Sequence, residues 1–150
     1  MINIALYQPD IPQNTAAIIR LGACLNVNVH IISPCGFNLN DSRFKRVAMD
    51  YTNFIKIYEY ENYNDFKKRN LKSRIILITT KGTKSYHNFK FKENDILLFG
   101  RESAGVPKKI HKEIKEKLKV PMQKKTRSLN VAITAAIVVS EALRQNNLLD

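Results

Sequence analysis

The chain has 150 residues, 44% of them hydrophobic, with five glycines and five prolines, which excludes a disordered tail and fits one ordinary domain. Its 25 Lys and Arg against 13 Asp and Glu give a formal charge of +12. An excess of that size favours a polyanion partner, because each phosphate neutralised releases condensed counterions. Two cysteines, Cys24 and Cys35, make neither a disulfide framework nor a zinc ligand set.

The opening MINIALYQPD has no basic segment before its apolar run and no small-residue cleavage site, so a signal peptide is not expected. No apolar stretch is long and uncharged enough to span a bilayer. The expectation is one cytoplasmic domain over residues 1–150 with reduced thiols. Charge is unevenly spread. Residues 1–40 hold a single basic side chain, Arg20, whereas residues 101–127 hold ten against three acidic ones. That dense run points to nucleic acid.

In chain order, residues 2–8 form a predicted first strand, ended by a turn on Pro9 and Pro12. Asn14 is placed to cap a helix running to about Asn26. Residues 28–33 read as a second strand, stopped by Pro34, Cys35 and Gly36. Asp41 or Ser42 caps a short basic helix holding Arg43, Lys45 and Arg46. A third strand is predicted at 54–59 and a third helix from Asn62 to Asn70. Arg74 to Thr79 and Asp95 to Phe99 are apolar, as strands covered on both faces should be. After Pro107, a good first helical residue, KKIHKEIKEK reads as an exposed helix, and Lys119 to Met122 as a last strand. Leu129 to Leu143 is a helix apolar nearly all round, which must be covered on every side. So small a domain cannot enclose it alone, which argues for a second subunit. The whole reads as α/β, a mostly parallel sheet with helices on both faces.

Common nucleotide motifs are absent: the first strand enters a Pro-containing turn, and there is no phosphate loop. His30, His87 and His111 stand in unrelated contexts without partner ligands, so no metal is expected. Three segments stand out just past the ends of late strands, where open α/β sheets bind ligands. They are Thr79–Thr83, Gly100–Pro107 and Pro121–Asn130. Ser128 and Asn130 lie where a basic loop enters the apolar helix, and Ser128 is a candidate cap for it. Polar groups at such a helix start should be hydrogen-bonded, to substrate or to backbone.

Asn14-Thr-Ala-Ala-Ile-Ile-Arg20, Leu98-Phe-Gly-Arg-Glu-Ser-Ala-Gly-Val-Pro107 and Arg127-Ser-Leu-Asn-Val-Ala132, in this order and spacing, resemble the three signature motifs of SPOUT-superfamily RNA ribose methyltransferases. The similarity covers essentially the whole chain. It is greatest to the small single-domain YibK/TrmL type, which methylates the ribose 2′-hydroxyl of cytidine or uridine 34 in tRNA. The resemblance implies a C-terminal trefoil knot, against general folding rules. It implies S-adenosylmethionine as cofactor, held around Ile78, Gly100, Val120 and Ser128, and a homodimer in which one subunit completes the other's site. The chain departs from the family pattern at Ala16, often Gly, Ala104, often Arg, and Ala132, near which Ser is usual.

Methyl transfer from a sulfonium needs no metal, because the donor is already activated and positioning supplies acceleration. Arg20 and Asn130 are the candidate catalytic residues. A guanidinium stays protonated in proteins, so Arg20 is expected to hold the substrate and stabilise developing alkoxide. Asn130 is expected either to orient the hydroxyl or to fix its loop. Glu102 is expected to cap the Gly100–Gly105 loop. Arg43, Lys45, Arg46, Lys124, Lys125 and Arg127 are candidate phosphate contacts. Two alternatives stay open: the same reaction at another RNA site such as ribosomal RNA, and a non-catalytic RNA-binding protein of this fold. A flavodoxin-like signalling domain ranks last, since only Asp10 is acidic at the first strand's end.

Overall fold

The computed structural model describes residues 1–149, with strands and helices alternating along the chain. The first half is β1 (Asn3–Tyr7), α1 (Pro12–Leu25), β2 (Asn28–Ile32), α2 (Ser42–Thr52), β3 (Ile57–Tyr60) and α3 (Tyr63–Arg69). The second is β4 (Ile75–Ile78), β5 (Lys84–Ser85), a 3-10 turn at Tyr86–Asn88, β6 (Ile96–Phe99), α4 (Lys108–Glu113), β7 (Glu116–Lys119) and α5 (Val131–Gln145). The strands form one seven-stranded sheet in the order β3-β2-β1-β6-β4-β7-β5. All its pairings are parallel. The α/β reading with helices on both faces holds.

Alternation along the central strands divides the core. Ile4 and Leu6 of β1, Val29 and Ile31 of β2, Ile76 and Ile78 of β4, and Leu97 and Phe99 of β6 face one side. There they meet Ile18 and Ile19 of α1, Phe44 of α2, and Ala135, Val138, Val139 and Ala142 of α5. Ala5, Ile32, Leu77, Ile96 and Leu98 face the other side, with Phe66 of α3 and Ile110 of α4. A strand buried on both faces has no polar side to show, hence the unbroken runs in β4 and β6. At their N-terminal ends, Arg74 forms a bidentate pair with the buried Asp95, at 2.8 and 2.6 Å.

Several predicted boundaries move. The first helix starts at Pro12, a residue suited to the first turn, after an N-cap at Ile11 that has no side-chain hydrogen bond. Asn14 therefore lies inside the helix, free for another task. The third strand begins at Ile57 rather than residue 54, because Phe54 is 68% exposed and the chain turns there. The Lys-rich helix stops at Glu113, and Glu116–Lys119 is strand β7 in place of Lys119–Met122. Its alternating charges favour a helix, but Ile114 and Leu118 are buried and the backbone pairs with β4, Ile78 opposite Leu118. Tertiary burial overrides local propensity here. The last helix starts at Val131, capped by Asn130 and not by Ser128. The two-residue β5 and the 3-10 turn lack a period to read.

Candidate active site

β6, β4 and β7 are adjacent in the sheet, so the loops leaving their C-terminal ends lie side by side. Backbone contacts bind these loops together. Thr79 N–H donates to the Leu118 carbonyl at 2.8 Å. A Cβ at Gly82 would collide with the backbone of Leu118 and Lys119, so only glycine permits that approach. Past β6 the chain doubles back: Arg101 and Gly105 exchange two backbone hydrogen bonds, 3.1 and 2.8 Å. Gly105 has φ +65°, and a Cβ on Gly100 would lie 2.6 Å from Gly105 Cα.

Between these loops and the starts of α1 and α5 lies a cavity of about 400 Å³. Leu77, Ile78, Phe99 and Val120 give it apolar walls, and Thr79, Thr80, Ser128 and Asn130 add polar groups. Ile78, Gly100, Val120, Ser128 and Asn130, five of the six residues singled out from the sequence, line it together. Arg20 does not. It is exposed on α1, its guanidinium 6.0 Å from the ring centroid of Tyr51 on α2.

Hydrogen bonds with a definite direction run along the cavity rim. Asn130 Oδ1 accepts the amides of Ala132 and Ile133, at 2.8 and 3.3 Å, and so caps α5. Its Nδ2 must then face outward, and it donates to Asn14 Oδ1 at 2.9 Å. Asn14 Nδ2 in turn donates to Glu102 Oε1 at 3.3 Å. Glu102 Oε2 accepts the amide of Asp10 at 2.8 Å. Contrary to the expectation from the sequence, Glu102 does not cap its own loop; it grips the loop after β1. The reciprocal grip comes from Asp10, which accepts from the amide and hydroxyl of Ser103, at 3.0 and 2.6 Å, and pairs with Arg101. Arg101 and then Ser103 hold the Asp10 carboxyl well below the usual carboxylate range.

Asp10, Asn14 and Arg101 were missed as site residues. Asn14 and Arg101 lie within the motifs quoted above, but hydrogen bonds between residues about 90 positions apart leave no local pattern. Ala104 is exposed and does not line the cavity, while Ala132 serves through its amide. Of the proposed phosphate contacts, Lys124, Lys125 and Arg127 are exposed on the loop before α5, and Arg43, Lys45 and Arg46 on α2. His30 is buried, its Nδ1 2.7 Å from Tyr60 Oη. Burial, and secondarily Arg69, lowers its pKa to about 4. Cys24 and Cys35 are free. Among the described residues, no group of three or more His, Cys, Asp or Glu could hold a metal, and no helix is long and apolar enough to cross a membrane.

Residues 1–140 match the SpoU rRNA Methylase family. A tRNA (cytidine(34)-2′-O)-methyltransferase of Beijerinckia indica is 44% identical over 95% of this chain and 90% of its own. The protein of that name from Escherichia coli K12 is 37% identical, over 97% and 94%. A structure solved for the 2-OH methylation of C/U34 on tRNA superposes with TM-score 0.92 at 34% identity, covering 98% of this chain and 97% of that one. AviRb from Streptomyces viridochromogenes, solved with AdoMet, superposes with TM-score 0.87 at 19% identity, covering 97% of this chain and 57% of that one, a likeness of fold alone. With the matched region running through all three motifs and the cavity they enclose, the chain belongs to the SpoU methylase family.

Proposed function

We propose that this chain transfers a methyl group from S-adenosylmethionine to the ribose 2′-hydroxyl of nucleotide 34 in the tRNA anticodon loop. The observation that carries the reading is that the ends of β4, β6 and β7 enclose one cavity, whose rim joins Asn14, Glu102 and Asn130 from three motifs. The named relatives supply the nucleotide.

The residues present fit the donor. A cavity of about 400 Å³ is within the range of small-molecule sites, mostly apolar with a few placed polar groups. Ile78 and Val120 would hold the flat ring, with Gly100 and Ser128 at the loop edges. When bound, the cofactor supplies an electrophilic methyl on a sulfonium. The chain's own task is to exclude water, position the ribose and stabilise charge on its oxygen. Asn130 presents a fixed NH₂ group toward the rim, since its carbonyl is committed to α5.

Arg20 serves the hydroxyl, and because it stands outside its own subunit's cavity, it serves that of a second copy. The homodimer therefore belongs to the proposal. Support comes from α5, where the apolar side chain of Ile133 is 54% exposed. The trefoil knot and a cytoplasmic location belong to it as well. The experiment is methylation of total tRNA from a strain lacking the gene, followed by mass spectrometry of the modified nucleoside. A 2′-O-methylated nucleoside at position 34 is the expected product. Methylation confined to ribosomal RNA, or no transfer despite donor binding, overturns the reading.

A further inference from the structure

A second cavity, of about 390 Å³, opens on the other side of the first turn of α1. Ile11 and Asn14 line the first cavity, while Pro12, Gln13 and Ala16 line the second. One helical turn is thus a wall shared by the two. The chemistry of the second differs. Its inner surface is Phe37 and Phe44, ring centroids 5.1 Å apart and tilted by 56°, with Val47 at the mouth. Amide side chains sit among them. Asn38 Oδ1 accepts the Asn40 amide at 2.9 Å, which leaves its NH₂ group as a donor, and Gln13 is exposed.

Charge marks one side of the opening. The Arg43 side chain is 90% exposed, despite a 3.5 Å pairing with Asp41, and Lys45 and Arg46 are exposed on the same helix. Ala16 and Arg20 are four residues apart on α1, so they share a helix face. An aromatic surface, neutral amides and a cationic lip are what a nucleotide needs: a face to stack on, edges to pair with and charge for its phosphate.

We propose that this second cavity receives the base of the acceptor nucleotide, so that Phe37, Asn38 and Gln13 set base preference while Arg43 holds the adjoining phosphate. The inference rests on the tRNA reading above and extends it to which part of the substrate goes where. The base would stack on Phe37, leaving its ribose at the first turn of α1, the wall shared with the donor cavity.

The test uses the full chain and an unmodified tRNA transcript with 5-fluorocytidine at position 34. Binding to the wild-type chain shifts the fluorine resonance. Gln13→Ala, Phe37→Leu and Val47→Glu raise KM for tRNA about tenfold or more, with donor affinity by calorimetry and kcat at saturating tRNA held within about twofold. Val47 is 43% exposed, so Val47→Glu reads the mouth even if Phe37→Leu folds poorly. An unchanged KM and fluorine shift in Gln13→Ala and Val47→Glu overturn the proposal. So does conversion of an oligomer to a smaller species by Val47→Glu in size-exclusion chromatography, because a second copy would then fill the cavity. A wild-type chain that methylates no tRNA defeats the function reading instead, and the fluorine signal still reads the cavity on its own.

Discussion

Gly100 and Gly105 lie five positions apart in one loop, yet replacing them by alanine destabilises the protein for different reasons. At Gly105 a new Cβ meets nothing within 4 Å, but φ is +65°. The penalty is backbone strain alone, about 1 kcal/mol. At Gly100 the Cβ would lie 2.6 Å from both Cα and C of Gly105 and 3.0 Å from Val106 N. Restoring ordinary contact needs a displacement of roughly 1 Å, which stretches the two hydrogen bonds between Arg101 and Gly105. Each contributes about 1 kcal/mol, so the loss is about 2 kcal/mol. For about 150 residues, 1 kcal/mol corresponds to roughly 2–4 °C in Tm. Gly105→Ala should lower Tm by about that much and leave S-adenosylmethionine affinity within about threefold. Gly100→Ala should lower Tm about twice as far and weaken donor binding about tenfold or more, since the displaced backbone is the cavity wall. Thermal melting and calorimetry at one protein concentration measure both. Equal Tm losses, or a Gly100→Ala chain that binds donor like wild type, would refute the distinction between strain and collision.

Glu102→Gln places an NH₂ group opposite Asn14 Nδ2 and costs about 1–2 kcal/mol of stability; adding Asn14→Asp restores a donor–acceptor match. A urea-unfolding double-mutant cycle should therefore show recovery in the double variant, and additive losses would disprove the directional rim. Arg20→Ala should reduce turnover about 10²-fold or more with donor affinity intact. Mixed with Gly100→Ala it should regain activity, because a mixed dimer pairs one intact cavity with one intact arginine; no recovery despite subunit exchange argues that Arg20 does not act across subunits. His30, with its pKa lowered to about 4 in the fold against 6.5 unfolded, binds more protons when unfolded between those values. Its stabilising contribution is complete above pH 6.5 and declines as pH falls toward 4. Between pH 7 and 5 stability should drop by about 2 kcal/mol, and His30→Phe should flatten that dependence in urea titrations.

Burial on two faces made β1, β2, β4 and β6 legible, because uninterrupted runs such as Ile75–Ile78 have one stable setting. Where a single apolar residue anchors a charged segment, as Leu118 does in β7, composition pointed the wrong way. The cavity residues came from motif resemblance, and the loops joined as that order implies. What no motif shows is which oxygen faces which nitrogen. The Asn130–Asn14–Glu102 chain depends on three segments meeting in space, and Asn14 could join it only because Pro12 starts the helix earlier than Asn14 would.

The cavity wall draws on residues from Ile11 to Thr134, and in the sheet β6 lies between β1 and β4, with β7 on the other side of β4. During synthesis, then, the pocket is a late product. A ribosome-bound chain with α5 still in the exit tunnel would lack Val131 and Thr134 from that wall, and with them a closed site for a small molecule. Ligand capture is accordingly a readout of maturation: a nascent protein that takes up the donor has already completed its most sequence-distant assembly step.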